Sequence, residues 1–545
     1  MIQVTGKAWC GVILIAAILA WLAPAYAEDK SDKSLLDVLR QKQVLTQQDY
    51  ERLKSSELTP AQRSALIDVL RDKGILTKDE AAKLESAAPP VPVAASAAEK
   101  AAAAESQASL LAKLPKWLSY ITPFGDIRLR DEGFYQEGAV ARNRGRFRAR
   151  IGLTVNASDE ISGTVRLATG DPNDPISTNQ SFQNTFTRKS INLDWAYLTL
   201  KPGKTFGLEP GWVTVTAGKF GLTNYRTSEL VWDDDVSPEG ATETLNLVDQ
   251  RAGVLRGLRV NAFQWTVNEV SNGADPWMGG GQVVSDAAFG TLATATVGFA
   301  DYNYQNLNEV ARTFLSPYTG SAPFTANSSQ NTSLVNSNDV VLSAKDANGH
   351  QKILRYASGY NILNWTGELN SPDPLGLGVP AGLFGDVAYN SQADGRNVGC
   401  YVGAGIGNAG RDWYHNVLTN QGDWGLSYTY ARVEKDAVLS IFSFSDIDQF
   451  STAPAKGASS RPTQNGSTNL MAHILRLDYL VLPNLQLTAK AYVENVLDRR
   501  ISNAALTGNP TLLRTQLDAM LRFWRRSRQG QHHRHVDDRQ DRARN

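Results

Sequence analysis

The chain has 545 residues, 20% of them charged and 42% apolar, a balance that excludes a disordered or fibrous polypeptide. Lys plus Arg and Asp plus Glu each total 55, but residues 1–27 carry only Lys7, and residues 524–545 carry seven Arg and three Asp. The body between them holds 47 basic against 52 acidic side chains, so its bulk charge of −5 does not suit a polyanion and no nucleic acid is expected as a partner.

The first element is a secretory signal over residues 1–27. Lys7 supplies the positive start, GVILIAAILAWL (11–22) the apolar run, and Ala25-Tyr26-Ala27 a small-x-small cleavage site. The run falls short of the ~20 residues of a spanning helix, so an uncleaved anchor is the weaker reading. Cys10 lies inside the apolar run without the small residues that precede a lipoprotein cysteine. With the signal removed, Cys400 is the single cysteine, which allows no intramolecular disulfide and no CxxC metal site. No later segment offers ~18 consecutive apolar residues, so the exported chain is either soluble or crosses a membrane with strands.

Residues 28–86 form a helical repeat segment. LDVLRQKQVLTQQDYERLK (36–54) aligns with IDVLRDKGILTKDEAAKLE (67–85), and Thr46 with Asp49 and Thr77 with Glu80 have capping-box spacing. Residues 87–116 are an Ala/Pro-rich linker. Beyond it, over 117–523, alternation dominates. In GDIRLRDE, Asp126, Arg128, Arg130 and Glu132 oppose Ile127 and Leu129. In RFRARIGLTV, Arg146, Arg148 and Arg150 oppose Phe147, Ala149 and Ile151, which places guanidiniums ~7 Å apart on one face of a strand. ISGTVRLATG sets Thr164 and Arg166 against Val165 and Leu167. INLDWAYLTL sets Asn192 and Asp194 against Ile191, Leu193, Trp195 and Tyr197. WGLSYTYA, LQLTAKAYVE and LLRTQLDAMLRF continue the pattern to Phe523.

The connections are short at 156–160 and 483–484, and long and rich in Ser, Asn, Gly and Pro at 303–353 and 446–468. Short turns alternating with long loops, charges deep within strands and aromatics at the ends of the apolar faces predict an all-β transmembrane barrel, with apolar residues toward lipid and charges toward an aqueous lumen. At about 25 residues per strand with its loops, the expected number is roughly 16 antiparallel strands. The chain then sits in the Gram-negative outer membrane with its helical segment in the periplasm. Its expected partners are outer-membrane lipid, small solutes and ions, and the barrel-assembly machinery, for which Phe523 closes the last strand as the assembly signal. A homotrimer is left open.

WLSYITPFGDIRLRDE, the arginine strand after it, DWAYLTL (194–200), TAGKFG (216–221), LVWDDDVSPEGA (230–241), GDWGLSYTYARVEKDAVLSIFSFSDID (422–448) and GSTNLMAHILRLDYLVLPNLQL (466–487) occur in an order that resembles the bacterial putative porin family. The resemblance implies an outer-membrane channel for passive diffusion of small solutes, with no cofactor. The other reading is a non-conducting structural or adhesive barrel tethered through its periplasmic helical segment.

Candidate pore-lining residues are Arg128, Arg130, Arg146, Arg148, Arg150 and Arg166, with Asp126 and Asp194 on the same parity. Two readings stay open: a salt-bridged wall that keeps the lumen wet, or an arginine patch facing loop carboxylates that sorts solutes by charge. Constriction-loop candidates are Asp171 and Asp174 in one loop and Asp233, Asp234 and Asp235 in another. Three consecutive carboxylates do not match an EF-hand spacing, and no metal site is expected. No enzyme is expected either. His350 and His415 fall in predicted loops, His473 opens a strand, a surface position is the default for each, and no G-x-S-x-G context exists. Residues 524–545 read as a disordered basic tail, expected to arise from a frameshift or read-through, with a native extension toward anionic lipid or peptidoglycan as the alternative.

Overall fold

The structure is a computed structural model, and it describes residues 119–250, 252–271, 273–313, 336–345, 347, 353–447, 466–498, 500–501, 504–505 and 509–523. The expected signal, helical repeat, linker and tail, and His350, lie outside the described residues.

Sixteen antiparallel strands form one closed sheet. They are β1 (Ile121–Gln136), β2 (Arg142–Asn156), β3 (Ile161–Thr169), β4 (Ile191–Leu200), β5 (Val213–Lys219), β6 (Glu239–Asp249), β7 (Leu255–Thr266) and β8 (Trp277–Phe289). The circuit continues through β9 (Ala293–Gln305), β10 (Asn361–Ser371), β11 (Ala381–Asn390), β12 (Val398–Gly407), β13 (Trp424–Val433), β14 (Leu470–Leu482), β15 (Leu485–Val496) and β16 (Leu512–Phe523). Each strand pairs with its sequence neighbour, and β1 pairs with β16 to close the ring, from Gly125 opposite Phe523 to Gln136 opposite Leu512. A two-residue piece, Gln180–Ser181, extends the sheet beside β2 where β3 is short.

The side-chain distribution inverts that of a soluble protein. Leu129 is 54% exposed, while the Arg130 and Glu132 residues on the opposite face are 3% and 0% exposed. The same contrast runs round the ring, with Ile151, Val165, Leu193, Phe299, Trp365, Leu383 and Leu475 outside, and Arg148, Arg166, Asn364, Asp386, Asp478, Arg514 and Asp518 inside. Closure removes the edges of the barrel sheet, so the backbone groups are satisfied within the wall and the outward face can meet hydrocarbon.

One strand departs from its expected parity. A bulge between Arg166 and Leu167 sets Trp195 opposite Arg166 and Leu193 opposite Leu167, so Asp194 is the extra residue of β4. After it the parity flips. Trp195 and Tyr197, expected on the lipid face, turn into the lumen, where the Arg166 guanidinium lies 3.2 Å from the Trp195 ring centre and Trp195 Nε1 donates to Ser237 Oγ at 3.0 Å.

The lumen is not evenly open. Along β7 to β13 the inner face is aromatic, with Phe263, Trp265, Tyr302, Phe384 and Tyr401 all buried, and loops pack onto it. The 220–238 connection turns inward as a strap. Gln282 accepts from the Tyr225 N–H at 2.8 Å and donates back to the Tyr225 carbonyl at 2.7 Å. Thr227 donates to the Gly385 carbonyl, and Ser228 donates to Asp386 at 2.7 Å. Polar inner-wall residues thus satisfy a backbone that leaves solvent. Trp232 then packs against Trp265, Tyr302 and Phe442, with ring centres 5.1, 5.5 and 5.8 Å apart. The connection after β9, which opens with the short helix α1 (Asn308–Thr313), and the one after β13 fill the same half through Leu307, Val438, Ile441 and Phe444.

The opposite end sends in one loop of its own. Connection 408–423, between β12 and β13, carries Trp413, Asn416 and Leu418 fully into the interior. β12 makes room for it. Its inward positions are glycine except for Tyr401, and a Cβ on Gly405 would sit 2.4 Å from the Trp413 ring. Leu230 of the strap nests the same way over Gly399.

Candidate functional site

The space that the loops leave is a cavity of about 1260 Å³ against β1 to β7 and β14 to β16. It reaches from Ser158, Asp159 and Lys204 at the short-turn end to Arg128, Arg130 and Asp446.

The register of β1 and β2 sets Arg128 opposite Arg148 and Arg130 opposite Arg146, pairings that are repulsive unless carboxylates intervene. They do. Asp126 bridges Arg148 and Arg150 at 2.9 and 2.7 Å. Arg130 engages Asp518 through both oxygens at 2.7 and 2.8 Å, and Asp446 at 2.9 Å. Arg514 joins Glu132 and Asp446, and Glu132 also accepts from Arg144. Asp194 pairs with Arg166 and accepts from Ser237 at 3.1 Å. Arg128 and Arg146 are less compensated. Arg128 donates to the neutral Asn179 at 2.7 Å, Arg146 reaches Ser177 at 3.3 Å with Glu132 3.8 Å away, and the Nε of each is buried without a partner.

The strap brings its Asp triplet to this wall, and each carboxylate has its own surroundings. Asp235 accepts from the N–H and Oγ1 of Thr178, both at 3.0 Å, and stands 3.4 Å from Arg150 and 3.7 Å from Arg148. Burial pushes its pKa up, and the Arg148 and Arg150 guanidiniums pull it below the ordinary carboxylate value. Asp233 is the reverse. Burial, with Glu229 and Asp235 nearby, holds its carboxyl well above the usual range while it accepts the N–H of Ser445. Asp234 pairs with Arg226 and lies 3.0 Å from His415, and these two cations overcome burial to hold it well below.

Asp171 and Asp174 do not line this cavity. Asp171 is exposed and accepts from the Asn173 N–H, while Asp174 accepts from the Ile176 N–H, with burial pushing its pKa up to about 6. Phe523 sits at the seam opposite Gly125. Sequence reasoning missed Asp446, Arg226, Glu229, Lys490 and His415 as cavity residues. Arg226, Glu229, His415 and Asp446 belong to loops, where no periodicity betrays direction. Lys490 had a signal, since its parity in β15 opposes Leu487 and Ala489. His415, expected on the surface, lies inside the barrel; burial lowers its pKa, but Asp234 and Asp412 outweigh that and raise it to about 10. His473 does stand outside, where it stacks on Tyr428.

A closed antiparallel ring with an apolar exterior and a charged interior cavity is an outer-membrane channel-type barrel. The chain belongs to the putative porin family, whose model matches residues 135–457. A second match, to the caspase recruitment domain, covers residues 30–87, outside the described residues. No curated protein matches the chain. Among solved structures the chain is similar to OprB of Pseudomonas putida at high pH (11% identity, 77% of this chain and 97% of that one, TM-score 0.42). It is also similar to Salmonella typhi OmpF in complex with daunomycin (10%, 74% and 97%, TM-score 0.39) and to the L8-deleted OmpT of Vibrio cholerae (9%, 74% and 100%, TM-score 0.36).

Proposed function

We propose that the protein is a passive diffusion channel for small polar and charged solutes, with a weak preference for anions. The observation that carries the reading is the charge of the cavity lining, in which the β1–β3 arginines form one wall and the strap carboxylate Asp235 stands against Arg150 and Arg148 on that same wall, 3.4 and 3.7 Å away. Fixed charges lining a wet passage attract solutes of the opposite sign and replace part of their hydration. Twelve Arg and Lys line the cavity against nine Asp and Glu, and two of those acids, Glu229 and Asp233, have pKa values raised by burial, Glu229 to about 7. Wall carboxylates behind the lining, such as Asp126 and Asp194, offset much of that excess, which keeps the preference weak. Arg128, facing the cavity with a neutral partner, is the strongest candidate contact for an anionic solute.

The test is single-channel recording in a planar bilayer under a KCl gradient. Stepwise conductance with a reversal potential on the anion side supports the reading. Folded protein that gives no steps removes the channel, and a reversal potential on the cation side removes the preference.

A further inference from the structure

We propose that Glu229, Asp234 and His415 form a binding site for one divalent transition-metal ion, best matched by zinc, that ties the 220–238 strap to the 408–423 loop inside the barrel. One ligand atom from each residue lies within 4.8 Å of the others. Zinc at ~2.0–2.2 Å from N and O donors sets them about 3.3–3.6 Å apart in a tetrahedron, so His415 Nε2 and Asp234 Oδ2 at 3.0 Å already stand near ligand spacing and Glu229 closes on them by up to ~1.5 Å. The donor set is one imidazole with two carboxylates. That mixture suits zinc, whereas calcium and magnesium prefer oxygen alone.

The imidazole is already held as a ligand. Asp412 Oδ1 lies 2.7 Å from His415 Nδ1 and fixes the ring, which turns Nε2 toward Asp234 and Glu229. A carboxylate behind a histidine in this way is the usual support of a metal-bound imidazole. Nε2 is buried and makes no aligned hydrogen bond, although Asp234 Oδ2 is 3.0 Å away. Proximity without alignment is what a third body between the two atoms would relieve. Arg226 occupies the other oxygen of Asp234, Oδ1, and leaves Oδ2 to the cluster. Glu229 is oriented by the Asp234 N–H at 2.9 Å and the Tyr414 hydroxyl at 3.3 Å.

Asp234 and Asp412 balance Arg226 and His415 around the site, so an ion that displaces the histidine proton adds a single unit of charge. The three ligands and Asp412 all line the cavity, so an ion and a completing water reach them from the lumen. The two loops enter from opposite ends of the barrel, one after β5 and the other after β12. An ion shared between them is a cross-link that no local spacing encodes, and its charge adds to the field across the passage.

The experiment is calorimetric titration of the folded full chain in detergent with zinc chloride at pH 8, where zinc displaces the proton on His415, with excess magnesium present. His532, His533 and His535 would bind zinc by themselves, so all variants carry them as Gln. One equivalent binding with a micromolar or tighter Kd is expected. Asp412→Asn should weaken it ~10–100-fold by loosening the ring support, and His415→Gln and Glu229→Gln should each weaken it at least as much. Folding of each variant is checked by its β-sheet circular dichroism. No saturable binding, or equal affinity in folded Glu229→Gln and Asp412→Asn proteins, overturns the site. Heat is the readout, so the result is independent of whether the barrel conducts.

Discussion

The two halves of this barrel solve the same problem differently. Both are closed sheet with lipid outside. Along β1 to β4 and β14 to β16 the inner face is guanidinium and carboxylate, linked as Asp518–Arg130–Asp446 and Arg148–Asp126–Arg150, and it borders the cavity. Along β7 to β13 it is aromatic and glycine with polar residues such as Gln282 and Asp386 that hold the strap, covered by the chain's own loops around Trp232, Trp413 and Tyr401. One half stays wet because buried charges need each other and water. The other is dry because its loops bring apolar side chains of their own. The difference teaches that a polar lumen and an apolar plug can be built within a single ring, and that the passage is the part the plug leaves over.

The comparison breaks most readily at its cores. Arg130→Met strands the Asp518 carboxylate and leaves Asp446 with Arg514 alone, and an expected loss of about 3–5 kcal/mol is measurable by urea unfolding from lipid vesicles. Trp232→Ala should cost a similar ~3–5 kcal/mol but act on the dry half: current noise should rise as the strap loosens, with the reversal potential unchanged. Gly405→Val drives a side chain into the Trp413 ring, at an expected ~1–3 kcal/mol, and should raise exchange of the 408–423 amides in hydrogen–deuterium measurements. Arg150→Glu places like charges beside Asp126 and Asp235, and should shift the reversal potential toward cations without changing current noise. The smallest effect concerns Asp174. Its pKa is raised to about 6, so the native state holds the proton more tightly than the unfolded chain does. That stabilisation is complete below about 3.8 and is lost as pH rises through 6. Protection of the 170–190 amides, taken relative to their intrinsic exchange rate at each pH, should therefore fall over this window, and Asp174→Asn should abolish the fall.

Much of the wall was legible in the sequence. Lipid on one side and water on the other impose a period of two, and a one-residue slip would turn every charge outward. That is why Arg146, Arg148 and Arg150 could be assigned to one face from RFRARIGLTV alone. Trp195 and Tyr197 went astray because a bulge adds one residue, and nothing in INLDWAYLTL marks Asp194 as the extra one. The plug was less legible, yet it left a trace. GCYVGAGIG repeats glycine at alternate positions, and glycine on an inward parity signals a close approach by something else. What approaches, Leu230 and Trp413, lies in loops whose sequence carries no direction.

The sequence by itself determined the barrel, its closure in roughly sixteen strands and the row of arginines inside it, because hydrophobic periodicity is a local property that the two solvents enforce residue by residue. Only the tertiary structure decided which carboxylates meet those arginines, which half of the lumen is filled, and that His415 stands beside Asp234. These depend on where loops fold, and a loop's path is set by partners far away in the chain, such as Gln282 for Tyr225 and Asp386 for Ser228.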